Sequence, residues 1–171
     1  LEQKEVPKPA GPERKTDAGR AVYGGGGIAP DETASARTIT PAQRRLLNPI
    51  FAFTRELVNG RVNGFETFKV QRPIEFTHEL QPSDFVITDS LFKTFKEFVA
   101  NDATLKSTLL LLDHNRAFIE LQLRYNVVTA AYGRVAADRV YLTAADPQVA
   151  KAIDVLPRAR DLAMSSQRKQ P

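Results

Sequence analysis

The chain has 171 residues, 42% hydrophobic and 26% charged, with no cysteine and a formal net charge of +4. That length suits one ordinary domain, or a domain with a poorly ordered arm, and the apolar share excludes wholesale disorder. The lack of cysteine excludes disulfides, thiolate nucleophiles and thiolate metal sites, and no apolar run approaches the ~18 residues of a membrane span.

Residues 1–20 carry three prolines, alternating charges and only Leu1 and Val6 as large apolar side chains, so they read as an arm or linker. A short strand is predicted over Arg20-Ala21-Val22-Tyr23, running into the Gly-rich turn Gly24 to Gly27 and then Ile28-Ala29-Pro30-Asp31. Thr40 as N-cap, Pro41 at the first helical position and Gln43 three residues after the cap form a capping box. Leu46, Leu47, Ile50, Phe51, Leu57 and Val58 follow at helical spacing, with a kink expected near 45–49 from Pro49 and a stop at Gly60 and Gly64. Residues 61–87 hold no period. They predict an irregular loop, with room for short edge strands, pinned to the core by Phe65, Phe68 and Phe76.

Thr88 caps the next helix, whose Leu91, Phe92, Phe95, Phe98 and Val99 fall on one stripe until Asn101-Asp102 breaks it. A long helix is predicted from about Ala103 to Tyr132, with Leu105, Leu109, Leu112, Ile119, Leu123 and Val127 facing inward. A helical stretch over Val135–Leu142 follows Gly133. Asp146 and Pro147 open a last helix with the stripe Val149, Ile153 and Leu156, which Pro157 divides from a turn holding Leu162 and Met164. The run Leu109 to Leu112 spans about 300° of a helix, so it needs cover either from residues 61–87 or from a second copy of the chain. The expectation is a mainly α fold, with a bundle-like helical domain over 38–166. An extended arm and a short β and Gly-rich segment over 1–37 precede it, and a frayed tail over 167–171 follows.

The basic excess is spread along the chain, with eight Lys/Arg against six Asp/Glu in residues 1–45 and sixteen against fourteen in 46–171. Nucleic-acid binders concentrate their cations, so this distribution reads as a solvated mixed-charge surface without a nucleic-acid partner. The four glycines lack the Gly-Lys-Ser/Thr or GxGxxG context of a phosphate cradle entering a helix. His78 and His114 have no ligand spacing, and the serines show no GxSxG elbow or SxxK pair. No cofactor, metal or catalytic residue is therefore expected.

One segment is specific. Lys15-Thr16-Asp17-Ala18-Gly19-Arg20-Ala21-Val22-Tyr23-Gly24-Gly25-Gly26-Gly27-Ile28-Ala29-Pro30-Asp31 resembles the end of the catalytic domain in carboxyl-terminal (tail-specific) processing serine peptidases. The motif residues are Gly19, Arg20, Tyr23, Gly24, Gly25, Gly26, Gly27, Ile28, Pro30 and Asp31, and the Tyr-Gly-Gly-Gly-Gly-Ile form is typical of a bacterial branch. Asp146 to Ile153, Phe51-Ala52-Phe53 and Phe85 to Asp89 are similar to that branch's tail region.

The resemblance implies a periplasmic or cell-envelope location, a PDZ domain and endoproteolysis near substrate C-termini by a serine nucleophile with a lysine base. In the family both catalytic residues precede this motif. No serine precedes it here, and Lys4, Lys8 and Lys15 do not match the lysine context. The chain, which opens Leu1-Glu2-Gln3, thus reads as a non-catalytic C-terminal piece of such a peptidase. Its partners would be the catalytic and PDZ portions, or a second copy in a homodimer. The family's other strands are missing, so the strand at Val22 is expected unpaired, paired with another copy, or folded against the helices. The rival reading is a free-standing helical protein-binding or adaptor module.

Overall fold

The computed structural model describes residues 11–16, 19, 21–23 and 32–167. Thr40 opens the first helix, α1 (Pro41–Val58), by the capping box that its sequence predicts. Its hydroxyl accepts from the Gln43 amide at 3.2 Å while its own amide donates to the Gln43 side chain at 3.1 Å. The helix is continuous through Pro49 and ends where Gly60 takes φ +69°. Its buried face is Leu46, Ile50, Phe53 and Leu57. Phe51, expected on the apolar face, is 59% exposed instead, because it lies one residue off the 46-50-53-57 row.

α2 (Asp89–Asn101) is capped by Thr88, whose hydroxyl accepts from the Leu91 amide, and it buries Leu91, Phe92, Phe95 and Val99. Phe53 meets Phe95 edge-on at 5.3 Å, and lies 5.3 Å from Phe98 as well. The Phe stripe of α2 is therefore core.

The long helix expected from Ala103 starts later. Residues Lys106–Leu111 and Asp113–Asn115 form tight 3-10 turns, and only Arg116–Tyr132 is α-helical (α3). Side chains compete for the backbone there. Asp102 accepts from the Thr104 and Leu105 amides, the buried Thr108 donates to the Leu105 carbonyl, and Asn115 donates to that of Leu111. The tighter winding resolves the leucine run. Leu112 is fully buried, Leu109 and Leu111 pack against the core, and Leu110 is left 91% exposed.

Gly133, at φ +86° and ψ 173°, joins α3 directly to α4 (Arg134–Ala144). The two helices fold back on each other. Tyr125 donates to Asp138 at 3.2 Å and Tyr141 bonds Gln122, and Val128, Ala136, Ala137 and Val140 are buried. The region 61–87 is irregular apart from a 3-10 turn at Glu66–Phe68, and its Val62, Phe68, Phe85 and Ile87 join the cluster built by α1, α2 and α3. Phe76, expected to pin this loop, is 75% exposed, with its ring edge against Gly133.

By contacts the chain divides into two units, residues 37–146 and residues 1–36 with 147–171. Within the second, β1 (Glu13–Lys15) pairs antiparallel with β2 (Ala21–Tyr23). The strand at Val22 thus has a local partner, which its sequence did not suggest because every residue of both strands is exposed. In α5 (Pro147–Gln167) the helix continues through Pro157, where a division was expected. The Glu32 carboxylate bridges Lys151 at 3.3 Å and Arg158 at 2.5 Å, two turns apart on that helix, and Gln148 donates to the Ala34 carbonyl. No helix among the described residues is long and apolar enough to cross a membrane.

Candidate functional site

Two features of residues 37–146 concentrate polar groups or open space. The first is the fastening of residues 75–87 to α3. His78 Nε2 lies 2.8 Å from Asp84 Oδ2, and the same oxygen accepts from the Gln81 amide at 2.7 Å. The His78 ring stacks on Tyr132, and Glu75 stands 4.0 Å from its Nδ1. Arg124 closes the turn from the other side, donating to the carbonyls of Gln81, Pro82 and Asp84 at 2.9 to 3.1 Å. Burial works against the charged Asp84 carboxyl. The Gln81 amide, His78 and Arg124 outweigh it and hold that carboxyl below the usual range, while burial pushes the Tyr132 phenol up.

This constellation pairs an acid with a histidine, with Ser83 directly before Asp84 in the chain and the Tyr132 ring against the histidine. Ser90 Oγ is engaged with the Thr88 hydroxyl, and Ser165 donates to the Leu162 carbonyl. His114 is exposed in the 3-10 turn Asp113–Asn115, away from the helical setting expected for it. Among the described residues no group of three or more His, Cys, Asp or Glu is placed to hold a metal, and every buried side-chain polar atom has a partner. The His78–Asp84 pair thus reads as a clasp that shapes the loop. Its two partners are six residues apart, while the Arg124 that closes the turn reaches across about forty, a contribution that sequence spacing could not reveal.

The second feature is a groove of about 520 Å3. Ala117 and Leu121 of α3 and Val140 and Ala144 of α4 line it, with Val86 and Ile87 of the loop as one wall. Small side chains at the open end of the α3–α4 pair leave the space. Arg37, Arg124 and Glu120 stand around it. Glu120 is committed to Arg116, which binds it at 2.7 Å and also pairs with Asp89. Arg37 has no carboxylate partner among the described residues.

Of the motif that carries the peptidase resemblance, Gly19 takes φ +79° and donates to the Thr16 carbonyl at 2.7 Å, closing the β1–β2 hairpin. Such a φ suits glycine. Tyr23 ends β2, 44% exposed, its hydroxyl 3.5 Å from Glu13. Arg20, Gly24, Gly25, Gly26, Gly27, Ile28, Pro30 and Asp31 lie outside the described residues. No protein-family profile, curated protein or solved structure matches the chain.

Proposed function

We propose that the chain is the non-catalytic C-terminal region of a carboxyl-terminal processing serine peptidase of the Ser/Lys type, working in the periplasm or cell envelope through contacts. The observation that carries this reading is the segment from Thr16-Asp17-Ala18-Gly19-Arg20 to Gly27-Ile28-Ala29-Pro30-Asp31. The serine and lysine contexts of that chemistry are absent from the sequence, which fits a region lying after the catalytic residues. The exposed β1–β2 hairpin, with Val22 and Tyr23 turned to solvent, also suits a segment that completes a sheet supplied by preceding residues.

The reading is tested on the gene and on the protein. Translation upstream of Leu1 is expected to encode a PDZ domain and a Gly-Ser-Ala-Ser-like motif, and the chain alone is expected to leave unstructured peptides uncut. Turnover that is lost on mutating a residue of this chain overturns it. The groove of residues 37–146 favours a second reading, a free-standing helical binding module. An immediate start codon before Leu1 would select that reading instead.

A further inference from the structure

We propose that Asn63-Gly64 is a site of spontaneous modification, where asparagine converts through a cyclic imide to aspartate and isoaspartate, while the fold shields the same dipeptide at Asn59-Gly60. This goes beyond the peptidase reading and does not depend on it.

Asn-Gly is the dipeptide in which this reaction meets least steric resistance, because glycine carries no side chain. The glycine nitrogen gives its proton to hydroxide and attacks the asparagine Cγ. A bond forms between them, and the side-chain nitrogen takes a proton from water and leaves as ammonia. Water then opens the ring at either carbonyl, leaving a new carboxylate on aspartate or isoaspartate. Solvent is the only co-reactant.

The sequence holds two such steps, and Asn59 and Asn63 are both exposed, so exposure does not separate them. Hydrogen bonding does. Asn59 closes the end of α1, where its side-chain amide donates to the Arg55 carbonyl at 2.6 Å and its backbone amide to the same oxygen at 3.3 Å. The attacking nitrogen, that of Gly60, donates to the Leu57 carbonyl at 3.0 Å. The stem of Lys69 lies over Gly60, with Cδ 2.9 Å from the place a Cβ would take. Electrophile and nucleophile are both tied, and freeing them means unwinding the last turn of α1, which holds the fully buried Leu57.

Neither restraint applies at Asn63. Its side chain makes no hydrogen bond among the described residues, and no atom lies within 4 Å of the place a Cβ on Gly64 would take. The Gly64 amide donates to the exposed Glu66 carboxylate at 2.9 Å, a contact that water replaces at small net cost. Gly64, at φ +84°, sits in a turn closed by one bond from the Phe65 amide to the Val62 carbonyl. The peptide can swing toward attack by opening that turn, without unwinding a helix. Isoaspartate would add a methylene to the main chain between the buried Val62 and Phe65, which meets Phe68, so the reaction alters how the segment after α1 is anchored.

The test incubates the full chain, folded, at mildly alkaline pH and follows tryptic peptides by mass spectrometry. Cleavage after Arg55, Arg61 and Lys69 places Asn59 in peptide 56–61 and Asn63 in peptide 62–69. Peptide 62–69 is expected to convert at least roughly tenfold faster than 56–61, with isoaspartate and aspartate eluting separately. In guanidinium chloride, where the fold is gone, the two rates should converge. Equal rates in the folded chain, faster conversion of 56–61, no conversion of 62–69, or a difference that persists in denaturant overturns the proposal.

Discussion

His78 lies flat on Tyr132, the ring centroids 3.8 Å apart and the planes within 16° of parallel. The stack continues sideways from Tyr132 to Phe85 and from Phe85 to Phe68, each pair 5.7 Å apart. A loop without regular hydrogen bonding is thereby held to α3 by ring faces, and the Asp84 carboxylate keeps the outermost ring in place. Phe85 takes a φ of +49°, a conformation a bulky residue rarely adopts, between Phe68 and Tyr132.

Removing the charge of Asp84 should loosen this stack. Asp84→Asn is expected to cost about 1–3 kcal/mol at neutral pH, read as a lower urea midpoint. The Asp84 carboxyl titrates lower in the folded chain than in the unfolded one. Its contribution is therefore complete above the ordinary carboxylate range and is lost as pH falls through the depressed value. The wild-type advantage over Asp84→Asn should shrink as pH drops below about 4. A difference that stays constant as pH falls well below that range, with the fold intact, would show that the carboxylate charge plays no part.

Phe95 and Phe51 make a matched pair, one fully buried and one 59% exposed. Phe95→Ala should cost about 3–5 kcal/mol. Phe51→Ala should stay within about 0.5 kcal/mol. Denaturation midpoints of the two variants check both values, and comparable losses would contradict the placement of the α1 faces.

Gly133 is constrained twice. Its φ of +86° suits only glycine, and an added Cβ would come 2.8 Å from Cδ1 of Phe76. Gly133→Ala should cost about 1–3 kcal/mol through the backbone alone. The double variant with Phe76→Ala should recover only the steric part, since removing the ring leaves φ where it was. Thermal melts of the single and double variants separate the two contributions.

The leucine run offers a contrast within four residues. Leu112→Ala should cost about 2–5 kcal/mol, because Leu112 is fully buried. Leu110→Glu should change stability by less than about 0.5 kcal/mol, because that side chain is 91% exposed. A large loss in Leu110→Glu would place this leucine against a surface that the chain in isolation does not show.

The parts legible in the sequence are those fixed by local chemistry. Thr40, Pro41 and Gln43 announce the start of α1, and Thr88 that of α2, because caps are made by residues three apart. The inward side of α1 was legible in part: Leu46, Ile50 and Leu57 are buried and Leu47 and Val58 half-buried, but Phe51 is exposed and Phe53, against Phe95, takes the place expected for it. The 3-10 winding of residues 106–115 was hidden too, since Asp102, Thr108 and Asn115 act through bonds to specific backbone groups that hydrophobic periodicity does not register. The His78–Asp84 pair lies within seven residues, but the Tyr132 ring and Arg124 that fix it come from α3, and the groove's lining is likewise spread over tens of residues.

The bridge from Glu32 to Lys151 and Arg158 gives ionic strength a selective grip on this molecule. Both pairs are partly open to water, so added salt screens them. The core of residues 37–146 is built of buried Leu, Ile, Val and Phe, and a strongly hydrated anion such as sulfate tightens burial of that kind. Rising sulfate therefore has opposite effects within the two units, weakening the hold of Glu32 on α5 while the helical core gains stability. The same polypeptide thus carries an ionic latch that sulfate undoes and a body that sulfate preserves.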